Sequence, residues 1–106
     1  MFKSLHTPEE LDAALAASHE RPIVLFKHSA SCPFSARAQE QVCNAKHDVD
    51  VYGIVVQYCP DLKDLITEKT GVEHASPQAI VVSKGNAIWK GWRSEITEEV
   101  LVKKVG

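Results

Sequence analysis

"IVLFKHSASCPFS", residues 23–35, runs from a block of apolar residues into a cysteine-proline step. Ile23, Val24, Leu25 and Phe26 form a short, continuous apolar run rich in β-branched residues. Such a run reads as a strand covered on both faces. The polar stretch 27–31 reads as a loop. Pro33 suits the first position of a helix, where its missing N–H costs nothing. A helix is therefore expected from about Cys32 to about residue 46. Strand, loop and helix make the first half of a βαβ unit, with Cys32 where the strand's carboxyl end meets the helix N-terminus. In open α/β sheets, sites collect at that edge.

The flanking segments extend the pattern. Thr7-Pro8-Glu9-Glu10 opens a helix, with Thr7 as cap and Glu10 reaching back to complete a capping box. Leu11, Ala14, Leu15 and Ser18 then share a face, and Pro22 closes the segment. Downstream, 49–57 is strand-like, and 61–70 is helical with Gly71 as its stop. Residues 78–82 form a strand, 84–86 a turn, and 87–92 a strand that pairs back antiparallel. Thr97 caps a last helix, with Glu98 and Glu99 in its first turn and Lys103 and Lys104 in its last. The order α-β-α-β-α-β-β-α predicts an α/β fold, a mixed four-stranded central sheet with helices on both faces.

Composition narrows the function classes. The chain has 106 residues, room for one core, so a single domain over 1–106 is expected. A formal net charge of -2 offers no basic field for nucleic acid or an anionic membrane. No apolar run approaches the ~18 residues that span a bilayer. The N-terminal residues lack the pattern of a secretory signal, so a cytoplasmic location is the expectation. Three cysteines, an odd number, fit poorly with a framework of structural disulfides.

Cys32 is the candidate nucleophile. At a helix cap, unpaired backbone N–H groups and the helix dipole favour an anion, which lowers a thiol's pKa from its free value of roughly 8.5. The N–H groups of Phe34 and Ser35 and the Ser35 hydroxyl are donors to the sulfur. Ser35 stands three residues after Cys32, where a dithiol motif has its second cysteine. A single thiol can take a mixed disulfide onto itself, and a second thiol must then arrive to release it. Ser76-Pro77 is the companion signal: a cis bond there would turn the Ser76 backbone toward the Cys32 loop, ready to pair with an extended client segment.

Together the topology, the cysteine at the junction and the X-Pro step resemble the thioredoxin superfamily. More closely, "FKHSASCPFS" and "EHASPQAIVVSKGNAIWKGWRSEIT" resemble the YtxJ-like family, the monothiol bacilliredoxins of type C. The resemblance implies a thioredoxin-like fold and removal of bacillithiol from mixed disulfides on oxidised proteins. It implies Cys32 as the active cysteine and Ser76 and Pro77 as the cis-proline loop. Bacillithiol would be a co-substrate rather than a tightly bound cofactor, and the partners would be S-thiolated client proteins. Phe26 stands where thioredoxins often carry a buried acid, and Ser35 replaces their resolving cysteine. Pro33 stands where monothiol glutaredoxins have glycine, which weighs against iron–sulfur carriage. Iron–sulfur carriage and a non-catalytic interaction module remain the alternatives.

Other residues complete the expected site. Pro33 and Phe34 flank the sulfur, and Lys27, His28 and Arg93 are candidate electrostatic partners for the carboxylates of the small thiol. Cys43, eleven residues after Cys32, lies about 16 Å along the helix at ~1.5 Å per residue, and so reads as a packed residue. Cys59 follows a strand expected to run parallel to the first and is a candidate resolving thiol. No Cys-x-x-Cys pair or zinc-like histidine spacing is present, so no metal site is expected. His74, two residues before Ser76, is read either as bordering the cleft or as a loop histidine with no specific role. Trp89 and Trp92 are expected on opposite sides of their strand, Trp89 in the core and Trp92 near the cleft.

Overall fold

The computed structural model describes residues 2–29, 38–39, 42 and 49–105. Strand β1 (Phe2–Ser4) leads into helix α1 (Pro8–Ala17) and strand β2 (Ile23–His28). Strand β3 (Val51–Val55), helix α2 (Pro60–Thr70), strands β4 (Gln78–Ser83) and β5 (Asn86–Trp92), a 3₁₀ turn (Arg93–Glu95) and helix α3 (Glu98–Val105) follow. Ala38, Gln39 and Val42 are helical, and the remainder of the helix expected over 32–46 lies outside the described residues.

The strands form one five-stranded sheet in the order β1-β3-β2-β4-β5. β1, β3 and β2 are mutually parallel neighbours, β4 runs antiparallel to β2, and β5 antiparallel to β4. The expected four-stranded sheet is thus one strand short. β1 has only three residues, too few for a period to show, and its partner supplies the reason it forms. Gly53 of β3 carries no Cβ, and one placed there would stand 2.5 Å from the Phe2 ring. The bare backbone lets Phe2 lie across β3, while Leu5 N–H donates to Gly53 O at 2.8 Å.

The alternation of β2 divides the core. Ile23 and Leu25 face α1 and α2, packing with Leu11, Ile54, Ile66 and Ile80. Val24 and Phe26 face the other way, packing with Ala38, Val42, Val81 and Leu101. All four β2 residues are fully buried. At roughly 1.5–3 kcal/mol per side chain, this strand is the main apolar anchor of both layers.

Local signals act as expected at the helix ends. Thr7 Oγ1 accepts from Glu10 N–H at 3.2 Å while Glu10 Oε1 accepts from Thr7 N–H at 3.1 Å, closing the capping box. Gly71, at φ 71, ends α2 in the left-handed region where only glycine is unstrained, and its N–H donates to Thr67 O. Thr97 Oγ1 accepts from Val100 N–H at the start of α3. Lys84 and Gly85 both have positive φ, the geometry that matches a two-residue turn to the twist of its strands. A bulge then shifts the β4–β5 register, from Val82↔Ala87 to Val81↔Trp89. No helix among the described residues is long and apolar enough to cross a membrane.

Candidate functional site

The carboxyl end of β2, the loop 71–77, the start of β4 and the end of β5 converge at one end of the sheet. Lys27 pairs with Gln78 across β2–β4, and Gln78 pairs with Trp92 across β4–β5. The Ser76–Pro77 peptide bond is cis, as expected. Arg93 N–H donates to Pro77 O at 3.1 Å, tying the end of β5 to the proline. Arg93 achieves this at φ 53, a left-handed conformation that costs a non-glycine residue about 1 kcal/mol. Its guanidinium lies 4.3 Å from the Trp92 ring centroid. Among the described residues no backbone group pairs with the Ser76 N–H or C=O. The Ser76 Oγ is buried and has no partner there either.

Beside this loop opens a cleft of about 280 Å³. It is lined by Glu73, His74, Ala75 and Gln78, from the loop and the start of β4, and by Lys90, Gly91, Trp92 and Glu95, from the end of β5 and the 3₁₀ turn. Gln78 is buried, and its Nε2 donates to Glu73 O at 3.1 Å, which holds the amide against the loop. Trp92 is exposed, and its backbone N–H donates to Glu95 Oε1 at 2.8 Å. Trp89 packs on the opposite face with Val81, so the two indoles part sides as their spacing requires. Lys90, Gln78 and Glu95 escape a reading by motif. The parity linking Trp92 to Gln78 would have found the glutamine once the hairpin register was set.

Two site residues sit elsewhere than expected. Lys27 and His28 belong to β2, because the ladder continues two residues past the apolar run. Lys27 is fully buried on the α2 side, and its Nζ has no partner among the described residues. Burial, with a smaller push from Lys63, lowers its pKa from 10.5 to about 8. It is thus an enclosed ammonium rather than a cation on the rim. His28, on the opposite face, stacks on Phe26 with ring centroids 4.9 Å apart. Burial lowers its pKa below the ordinary 6.5, so at neutral pH the imidazole carries little positive charge. His74 is also lowered, by burial first and then by the charges of Lys27 and Lys63.

Cys59 stands immediately before α2, at the sheet edge where the carboxyl ends of β2 and β3 lie side by side. Its half-buried thiol packs against the α1–α2 core and donates to Leu5 O at 3.8 Å, toward the β1 edge. Cys32, Pro33, Phe34, Ser35 and Cys43 lie outside the described residues. What the described part offers is an open backbone at Ser76, a fixed aromatic wall at Trp92, and a cleft lined by donors and acceptors. That arrangement can hold an extended peptide segment and a small polar group side by side.

The model of the family described as monothiol bacilliredoxin BrxC matches residues 3–101. A solved structure provisionally described as an oxidoreductase with a thioredoxin fold is 30% identical, with a TM-score of 0.87 over 96% of this chain and 91% of that one. The reduced thioredoxin pre-protein of Schistosoma mansoni is 15% identical, with a TM-score of 0.76 over 99% of this chain and 98% of its own. A thioredoxin of Nicotiana alata is 21% identical, with a TM-score of 0.71 over 98% and 89%. The last two establish likeness of fold alone. The thioredoxin-like fold expected from the sequence is the one observed.

Proposed function

Because this chain belongs to the monothiol bacilliredoxin family and shares the fold of thiol oxidoreductases, we propose that it removes bacillithiol, or a similar low-molecular-weight thiol, from mixed disulfides on oxidised cytoplasmic proteins. The Cys32 thiolate attacks the small-thiol sulfur of the mixed disulfide. The client–small-thiol S–S bond breaks, and the client leaves as a thiolate that takes a proton from solvent. Cys32 now carries the small thiol in a new disulfide. With serine at position 35, the place of a dithiol motif's second cysteine offers no thiol to displace it. A second small-thiol molecule attacks as its thiolate, forming the symmetric small-thiol disulfide and restoring Cys32. Ser35 donates to the sulfur, Pro33 and Phe34 flank it, and Ser76 and Pro77 receive the client backbone. Arg93 holds the Pro77 carbonyl and sets the edge of the client groove.

The observation carrying this reading is the Ser76 backbone, adjacent to a cis proline and unpaired among the described residues. An open pair of backbone groups is what an extended client needs for strand-like pairing. Mass spectrometry after incubation with a bacillithiolated model protein tests it. The expected product is a bacillithiol adduct on Cys32 together with freed client. In Cys32→Ser the adduct disappears and turnover falls by about a thousandfold or more, as when a nucleophile is removed. A wild-type protein that leaves the client bacillithiolated would overturn the proposal.

A further inference from the structure

On the face toward α2, the ladder between β2 and β4 pairs Ile23 with Val82, Leu25 with Ile80, and Lys27 with Gln78. The first two pairs are apolar and belong to the core. The third continues the same alternation with two buried polar side chains. Residues directly opposite have Cβ atoms about 4.5–5.5 Å apart, so Lys27 and Gln78 are immediate neighbours. Neither is fully used: Lys27 Nζ and Gln78 Oε1 have no partner among the described residues. Gln78 Nε2 is spent on Glu73 O at 3.1 Å. The charges around Lys27 are mostly of its own sign. Lys63 repels it, and the charges of both lysines act on His74. Asp64, the acid that acts on His74, is paired with Lys63 at 3.7 Å. An ammonium enclosed in this way lacks the negative charge that a buried cation ordinarily has beside it.

We infer that Lys27 is a modification site for carbon dioxide, which its ε-amine takes up as a carbamate. The ammonium first gives a proton to solvent. The nitrogen lone pair then attacks the carbon of carbon dioxide, a C–N bond forms, and one C=O electron pair moves onto oxygen. The nitrogen gives a second proton to solvent, which leaves Lys27 as an N-carboxylate with one N–H. No electrons are gained or lost. Burial and a neighbouring cation are the two means by which a lysine amine becomes nucleophilic, and both act here. The product reverses the local sign, so that Lys63 and His74 act on an anion rather than a cation. Its N–H is a donor of the kind that Gln78 Oε1 lacks. A preformed anion would have to shed its hydration to reach a side chain that is 0% exposed, whereas carbon dioxide enters uncharged and gains its charge on reacting. Gln78 also lines the 280 Å³ cleft, so solvent comes within one side chain of Lys27.

The test uses the full chain with its lysine ε-amines labelled with heavy nitrogen, in buffer at pH about 8 equilibrated with isotope-labelled carbon dioxide. At that pH the Lys27 amine is about half neutral, against under about a hundredth of an ordinary lysine. The readout is the NMR signal of a labelled carbon coupled to lysine nitrogen, which only a lysine carbamate gives. One such signal is expected, at least about tenfold stronger in folded protein than in urea. It should be absent from Lys27→Met. Among the described lysines only Lys27 is buried, so loss of the signal in urea identifies the enclosed amine even where the variant does not fold. Signals of equal strength in the folded and unfolded chain assign the carbamate to exposed lysines and overturn the inference. A signal that persists in folded Lys27→Met overturns it, and so does the absence of any signal from folded wild-type protein.

Discussion

Where α1 meets the β4–β5 turn, every polar group of Ser18 is used. The residue is 1% exposed, its Oγ donates to Leu15 O and accepts from Gly85 N–H, and its C=O accepts from Lys84 N–H. At the opposite end of the same strands, Lys27, Ser76 and Gln78 each bury a polar atom with no partner among the described residues. The first end spends its hydrogen bonds on holding a helix to a hairpin. The second keeps polar groups uncommitted at a cost in stability, and it is where the cis proline and the cleft lie. Buried unsatisfied groups are few in native proteins, and a cluster of them marks a place shaped for something other than folding.

The largest expected effect is at Lys27. Its folded pKa of about 8 lies below the ordinary 10.5, so between those values the unfolded chain holds more proton. Stability therefore rises as pH climbs from about 8 to 10.5, and the penalty is present in full below pH 8. Lys27→Met is expected to stabilise the protein at pH 7 by up to about 3 kcal/mol. The difference between the two urea-denaturation profiles should shrink through that window. A variant that is neutral or destabilised at pH 7 would break the contrast, because the open end would then carry no strain.

Ser18→Ala should act in the other direction. It removes one acceptor and one donor from a buried junction, and a loss of about 1–2 kcal/mol is expected by denaturation. Thiol exchange at the far end should be unchanged, and a comparable loss there would show that the two ends are not independent. The smallest effect belongs to Thr7→Ala, which breaks the exposed capping box and should cost about 1 kcal/mol. Amide exchange would report that loss first in α1, ahead of the sheet.

Legibility follows the range of the forces involved. The capping box at Thr7 and Glu10, the left-handed stop at Gly71 and the turn at Lys84-Gly85 are written within three or four residues, and each stands where the sequence places it. The cis bond at Ser76–Pro77 is legible for a related reason, because proline alone makes that isomer common. β1 is not legible: Phe2-Lys3-Ser4 is a strand because Gly53, far along the chain, leaves space for the Phe2 ring. Lys27 and His28 read as loop because they are polar, yet the ladder to β3 and β4 continues through both. Of the described candidates, Ser76, Pro77, His74, Trp92 and Arg93 lie on adjoining segments at one end of the sheet, and Gln78 and Glu95 join them through strand register and the 3₁₀ turn.

By itself the sequence determined the alternation of elements and the helix boundaries that caps and glycines set, since short-range sterics and hydrogen bonding decide these residue by residue, and its motifs carried the resemblance to the thioredoxin superfamily. Only the tertiary structure decided that Lys27 is enclosed, that Cys59 turns toward β1, and that a polar cleft opens beside Pro77. Those outcomes depend on which strands become neighbours. A side chain's solvation is a property of everything packed around it and is not written at its own position.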